Sequence, residues 1–159
     1  MNFKNYTNRV LLVLFACFAL TACATQKKGS GMMQGDVYTG SDTVEYLATG
    51  VADRVFFATN KSTLTTASRD TLRKQAAWMR KKKDITFTIE GHADERGTRE
   101  FNLALGERRA NAVKDYLMTY GISGKRLNVI SYGKERPVNA GSTPLAWSQN
   151  RRSVTVKAN

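Results

Sequence analysis

The fold is decided by residues 85–121, which read ITFTIEGHADERGTREFNLALGERRANAVKDYLMTYG. The first six residues alternate apolar and polar side chains, which is the pattern of a strand with one buried face. Gly91 is expected to end that strand, and residues 92–97 form a polar loop. A helix then runs over about residues 99–120 and stops at Gly121, because a glycine favours the end of a helix. The buried stripe of this helix is expected to contain Gly106, Ala110, Val113 and Leu117.

The segments on either side extend this unit to the order strand, helix, strand, helix, strand, strand. That order predicts one α+β domain over residues 51–159, with a mixed four-stranded sheet and helices packed on it. Besides the central stretch, we predict a strand at residues 55–57, a helix from Thr65 or Thr66 to about Lys82, a strand at 127–132, a long loop at 137–150 and a last strand around Val154 and Val156.

The N-terminus has the pattern of an export signal. Lys4 and Arg9 precede an apolar run of about eleven residues, too few to span a hydrocarbon core, which needs roughly twenty. The run ends in Leu20-Thr21-Ala22-Cys23, which resembles the lipobox of bacterial lipoproteins. That resemblance implies that residues 1–22 are removed and that Cys23 is acylated. The alternative is an ordinary signal peptide followed by a chance cysteine.

Residues 23–50 are expected to be a flexible linker behind the lipidated cysteine. Five glycines lie there among Ser, Thr, Gln and Lys, a composition that buries too little apolar surface to offset chain entropy. As a coil of about 25 residues, it would span roughly 25–30 Å.

Charge and cysteine count exclude several classes of function. Removal of Lys4 and Arg9 with the signal leaves 23 basic and 13 acidic residues, a net charge of +10. Export makes nucleic acid an improbable partner, whereas the carboxylates of peptidoglycan and the phosphates of lipids still fit a basic surface. Only one cysteine would remain, and His92 is the only histidine. We therefore expect no disulfide, no metal site and no cofactor.

Two oppositely charged residues flank the start of the second helix. Asp94 lies in the loop that precedes it, and Arg109 is expected to lie half-buried beside the core stripe, on the same face as Asn102. Arg108 is expected to point to solvent. The pair is open to two interpretations: a structural salt bridge, or a clamp in which Asp94 accepts an ammonium group and Arg109 binds a carboxylate.

Several motifs together resemble a known family over about residues 54–156. The family is the peptidoglycan-binding domain shared by the C-termini of outer-membrane protein A, by flagellar-motor stator proteins and by peptidoglycan-associated lipoproteins; with the lipobox, the last group is the most similar. The motifs are Gly91-His92-Ala93-Asp94-Glu95-Arg96-Gly97, Asn102-Leu103-Ala104-Leu105-Gly106-Glu107-Arg108-Arg109-Ala110, Ser131-Tyr132-Gly133-Lys134-Glu135-Arg136-Pro137 and Asn150-Arg151-Arg152.

This resemblance implies that Asp94 and Arg109 hold the free end of meso-diaminopimelate in the peptidoglycan stem peptide. It extends the predicted binding site to Asn102 and Arg152. One departure concerns the segment after the first strand, where Ala58 and Asn60 replace two aspartates common in similar proteins. Any side-chain contact from that segment is lost, although backbone contacts would survive.

The predicted function is therefore a non-covalent tether rather than an enzyme. Acyl chains on Cys23 would anchor the chain in the outer membrane, with the domain in the periplasm bound to the cell wall. Ala24, after the cysteine, resembles a signal for sorting to the outer membrane. The resemblance further implies a partner, the periplasmic propeller protein of the Tol system, and a role in envelope integrity and cell division. The alternative is a purely structural lipoprotein without specific wall binding.

Overall fold

The computed structural model describes residues 33–34, 37–38 and 45–158 of the chain. Eight strands lie within these residues, most of them short. The strands are β1 (Met33–Gln34), β2 (Val37–Tyr38), β3 (Tyr46–Ala48), β4 (Val51–Ala52), β5 (Arg54–Phe56), β6 (Thr86–His92), β7 (Leu127–Gly133) and β8 (Arg152–Ala158).

Four of these strands form the main sheet, in the order β5-β8-β6-β7. Strand β8 pairs antiparallel with both β5 and β6, whereas β6 and β7 are parallel. A parallel pair needs a crossover connection, and the second predicted helix supplies it. The predicted mixed four-stranded sheet is therefore confirmed.

All three helices begin at threonine caps, and the first two pack against the sheet. Thr65 accepts a hydrogen bond from the backbone N–H of Ser68 at 3.1 Å, and Thr98 accepts one from Phe101 at 3.2 Å. Gly121 follows the second helix with a φ of 81°, a conformation that glycine adopts without strain. The helices are α1 (Thr66–Lys81), α2 (Arg99–Thr119) and α3 (Pro144–Asn150), and a 3-10 turn covers Gly124–Arg126.

An apolar core lies between the sheet and the helices α1 and α2. The alternation of β6 directs Phe87 and Ile89 into this core, and both are fully buried. All four residues of the predicted stripe of α2 are buried as well. The buried core consists of Leu47, Val55, Phe57, Leu72, Ala76, Met79, Phe87, Ile89, Ala110, Val113, Leu117, Ile122 and Leu127.

Two glycines allow α2 to lie directly against β6. A Cβ on Gly91 would come within 1.8 Å of the carbonyl oxygen of Gly106, and a Cβ on Gly106 would come within 2.8 Å of that of Gly91. The hydroxyl of Ser131 closes the same contact and donates to the carbonyl of Leu103 at 2.6 Å. This crossing fixes the height of α2 on the sheet, and with it the position of Arg109.

Two local predictions were wrong. Gly91 does not end β6, because pairing with β7 continues through Gly91–Ser131 and His92–Gly133. The predicted loop at 137–150 contains the helix α3. Its start carries ordinary signals, namely the cap Thr143, which accepts a hydrogen bond from Ala146 at 3.2 Å, and a proline in the first turn.

Part of the predicted linker packs on the domain. Leu47 belongs to the core, and the ring of Tyr38 meets that of Phe56 edge-on, with 4.8 Å between the centroids. Isolated apolar residues in a glycine-rich segment carry no periodicity, so no pattern in this segment predicts these contacts. The boundary at residue 51 stays a prediction. The signal peptide and Cys23 lie outside the described residues, and among the described helices none is long and apolar enough to cross a membrane.

Candidate functional site

Asp94 lies in the loop between β6 and α2, with its carboxylate almost fully buried. One oxygen accepts hydrogen bonds from the backbone N–H and from Nε of Arg96, each at 3.1 Å. The other accepts from the terminal nitrogens of Arg96 at 2.6 Å and of Arg151 at 3.4 Å. Burial alone would raise the pKa of Asp94. The hydrogen bonds from Arg96 and the charge of Arg151 outweigh burial, so this pKa is lowered and the carboxylate is ionised at neutral pH.

Arg109 is wholly buried, rather than half-buried as predicted. Its guanidinium donates to three backbone carbonyls, those of Lys61 at 2.9 Å, His92 at 2.7 Å and Ala58 at 3.1 Å. Burial, followed by the charge of Arg151, lowers the pKa of Arg109 to about 9, so it remains a cation at pH 7. Arg109 therefore joins the loop after β5 to the end of β6. Arg108 is exposed, as predicted.

Asp94 and Arg109 are neighbours without being an ion pair. The charge of Asp94 acts on the pKa of Arg109, in the direction that opposes burial. Among the described residues, however, the ion-pair partners of Asp94 are Arg96 and Arg151. A direct salt bridge with Asp94, one of the two interpretations of the sequence, is therefore not what holds Arg109 in place.

Asn102 closes the loop that carries Asp94. Its side-chain amide donates to the carbonyls of Arg96 at 2.9 Å and Thr98 at 3.1 Å, and the residue is buried. The predicted site residue Asn102 thus shares a loop with Asp94, and its described hydrogen bonds support the backbone of that loop.

The predicted site residue Arg152 lies away from this pair. It pairs with Phe56 across the sheet, on the face opposite the helices, and donates to the carbonyl of Arg136 at 3.1 Å. Burial, followed by the charge of Arg54, lowers the pKa of Arg152 to about 10. The arginine next to Asp94 is Arg151, whose Nε donates to the carbonyl of Phe57 at 3.0 Å. Consecutive residues near a strand point to opposite sides, and the sequence alone gave no means of choosing between them.

An open cleft of about 230 Å³ lies next to the charged pair. It is lined by Thr59, Asn60, Arg96, Gly97 and Phe101. Phe101 is 44% exposed and contributes an apolar surface to this cleft. Neither Asp94 nor Arg109 belongs to the lining, because the side chain of Arg96 covers Asp94 on that side.

The segment in which Ala58 and Asn60 replace common aspartates is part of this site. The carbonyl of Ala58 binds Arg109, so the backbone contact persists without a carboxylate side chain. Asn60 lines the cleft and has a φ of 55°, a conformation that asparagine tolerates better than most residues. The segment therefore still shapes the site through its backbone.

The last helix and the segment that precedes it support the loop from the other side. The indole N–H of Trp147 donates to Glu95 at 2.8 Å, and the hydroxyl of Ser142 donates to the other carboxylate oxygen at 3.1 Å. The guanidinium of Arg96 lies over the indole ring, 4.3 Å from its centroid. The sequence-based site omitted Arg96 and Trp147. The only available signal was the place of Arg96 in the loop motif, because Trp147 lies 52 residues after Glu95 in the chain.

Comparisons with known proteins identify the family. The OmpA family matches residues 56–151. The peptidoglycan-associated lipoprotein of Rhizobium meliloti is 45% identical over 155 residues, covering 94% of this chain and 87% of the relative. That of Pasteurella multocida is 36% identical over 148 residues, covering 92% of this chain and 95% of the relative.

Solved structures give the same result for the fold. The peptidoglycan-associated lipoprotein from Burkholderia pseudomallei superimposes with a TM-score of 0.65 at 34% identity, over 67% of this chain and 90% of that protein. The C-terminal domain of Helicobacter pylori MotB gives a TM-score of 0.63 at 19% identity, over 67% of this chain and 84% of that one. At such low identity, the second likeness concerns the fold alone.

Proposed function

Since this chain belongs to the OmpA family, among the peptidoglycan-associated lipoproteins, we propose that it binds peptidoglycan non-covalently and tethers the outer membrane to the cell wall. In this proposal the domain lies in the periplasm and catalyses no reaction. Acylated Cys23 is the membrane anchor, with more than one acyl chain for stable attachment. The Tol propeller protein is the proposed protein partner, in a system that maintains envelope integrity and serves cell division.

We further propose that the ligand is the free end of meso-diaminopimelate, which carries an ammonium and a carboxylate on one carbon. The observation that carries this proposal is the presence of a buried carboxylate beside a buried guanidinium, both charged at neutral pH. Asp94 would accept the ammonium group, and Arg109 would bind the carboxylate.

The hydrogen bonds of Arg109 support this role. A guanidinium has five N–H groups, and three of them donate to backbone carbonyls. One N–H then remains on each terminal nitrogen. Two such groups match the two oxygens of a carboxylate, which is a geometry that lysine cannot reproduce.

The other predicted site residues have supporting roles in this proposal. Asn102 positions the loop of Asp94 through its two backbone contacts. Direct ligand binding by Arg152 stays a prediction from the resemblance. The observed contacts favour Arg151 as the arginine that influences the ligand site, because it is the one that reaches Asp94.

A calorimetric titration with purified muropeptides tests the proposal. The protein should bind a stem that ends in free diaminopimelate, and Asp94→Asn and Arg109→Lys should each weaken that binding by roughly tenfold or more, since each removes one charge-assisted contact. Arg108→Lys is the matched control, because Arg108 is exposed, and it should leave binding unchanged. Absence of binding by the folded wild-type protein would favour the purely structural lipoprotein instead.

A further inference from the structure

The side chain of Arg96 separates the open cleft from Asp94. Its guanidinium lies 2.6 Å from one oxygen of Asp94 and its Nε lies 3.1 Å from the other, so it pairs with both oxygens of the carboxylate. The side chain of Arg96 is 41% exposed, against 9% for that of Asp94. Arg96 also lines the cleft, whereas Asp94 does not. A cation that enters from the cleft therefore meets Arg96 before it can reach Asp94.

We propose that Arg96 is a specificity-determining residue that occupies, in the unliganded protein, the place of the ligand's ammonium group. This inference rests on the proposed function, because it concerns the same site. Ligand binding exchanges one cation for another on Asp94. The guanidinium of Arg96 leaves the carboxylate, and the ammonium group takes its place.

The surroundings of Arg96 allow this exchange. Its guanidinium already lies over the ring of Trp147, 4.3 Å from the centroid, and Glu95 holds that indole through a hydrogen bond of 2.8 Å. An aromatic ring that is held in place can bind a guanidinium through a cation–π contact after the guanidinium has left the carboxylate. The backbone N–H of Arg96 and the side chain of Arg151 still bind Asp94 when the guanidinium moves. The carboxylate therefore keeps its orientation during the exchange.

The exchange discriminates between ligands by charge. A plain amine, such as the side chain of lysine in a stem peptide, can replace the guanidinium of Arg96 on Asp94, but it brings no anion to balance the positive charges of Arg96 and Arg109. A ligand with an ammonium and a carboxylate on one carbon brings both charges. Only the second ligand compensates Arg96 and Arg109 together, so Arg96 disfavours simple cations.

The test compares two muropeptides, one ending in diaminopimelate and one in lysine, against two variants. Arg96→Gln removes the competing cation and keeps a long polar side chain. Arg99→Gln is the matched control, because Arg99 is exposed and forms its ion pair with Glu135, at 3.4 Å, and not with Asp94. Circular dichroism melting verifies that both variants are folded, and Arg96→Lys, which retains the charge but loses the paired geometry, serves as a second variant.

We expect Arg96→Gln to bind the lysine stem on the order of tenfold more tightly than the wild type, in line with the loss of a charge-assisted competitor. Binding of the diaminopimelate stem should improve by less, so the preference between the two stems should narrow. Arg99→Gln should preserve the preference, and Arg96→Lys should give an intermediate one. An unchanged or larger preference in folded Arg96→Gln would overturn the inference, as would weaker binding of both stems. Failure of the wild type to bind either stem would instead refute the proposed function.

Discussion

Substitution of Gly106 by alanine should destabilise the domain although alanine is the better helix former. In an isolated helix, the change would stabilise by about 1 kcal/mol. Here the new Cβ would lie 2.3 Å from the hydroxyl oxygen of Ser131 and 2.8 Å from the carbonyl oxygen of Gly91. The hydroxyl can turn away only by losing its hydrogen bond to Leu103, worth about 1 kcal/mol. The carbonyl of Gly91 belongs to a central strand and moves only with β6.

These contacts set the magnitude of the effect. Insertion of a methyl group into a packed interface typically destabilises by about 1–3 kcal/mol. With the lost hydrogen bond added and the gain in helix propensity subtracted, the free energy of unfolding should fall by about 1–3 kcal/mol. Because α2 also carries Arg109, displacement of the helix should weaken muropeptide binding in the same variant.

Urea unfolding followed by circular dichroism measures this change. Ala104→Gly on the exposed side of α2 provides the propensity baseline and should destabilise by about 1 kcal/mol. Combining Gly106→Ala with Ser131→Ala should recover only part of the loss, because the carbonyl of Gly91 remains. A Gly106→Ala protein about 1 kcal/mol more stable than the wild type would refute the close crossing of α2 over β6.

Three further changes test other parts of the structure. Burial, followed by the charge of Arg152, lowers the pKa of His92 to about 3, from a usual value near 6.5, and neither ring nitrogen has a hydrogen-bond partner among the described residues. Because His92 is protonated more easily in the unfolded chain, the free energy of unfolding should fall as the pH drops from about 6.5 towards 3. Urea titrations at pH 7 and 4.5 should show a smaller fall for His92→Phe than for the wild type. An equal fall in both proteins would contradict this role of His92. Tyr38→Ala should lower the melting temperature, since Tyr38 is buried against Phe56, whereas Tyr38→Phe, which removes a buried hydroxyl without a described partner, should not. Cys23→Ala should abolish labelling by a palmitate analogue in cells, and undiminished labelling would disprove lipidation at that residue.

Local patterns in the sequence were sufficient for the fold. The alternation before Gly91 and the stripe from Gly106 to Leu117 gave one strand and one helix at nearly their observed bounds. These local patterns failed in two places: where strand pairing decided the end of a strand, and where a helix was too short to show a periodicity. Strand β6 continues past Gly91 because β7 offers it partners, and that information lies some 40 residues later in the chain. Helix α3 is too short for a periodic pattern, so only its cap and proline could have revealed it.

The site was less accessible to prediction for a related reason. Helical spacing placed Arg109 near the core and Arg108 in solvent, which depends only on the helix itself. The partners of Arg109 are backbone carbonyls, and a carbonyl is present at every residue, so no sequence pattern marks the three that it binds. Likewise, the contact of Arg96 with Trp147 joins segments about fifty residues apart. Side-chain contacts of this kind follow from the assembled fold rather than from any local motif.

The contacts of Arg109 link ligand binding to the stability of the site. One guanidinium holds the loop after β5, through Ala58 and Lys61, to the end of β6, through His92, and the same group is the proposed receptor for the ligand's carboxylate. Removal of this side chain would therefore leave three carbonyls without their donor as well as the ligand without its partner. A loss of binding in Arg109→Ala could arise from either effect. Arg109→Lys keeps the cation near the carbonyls but presents no paired N–H groups, so weaker muropeptide binding with a nearly unchanged melting temperature would assign the effect to the ligand contact itself.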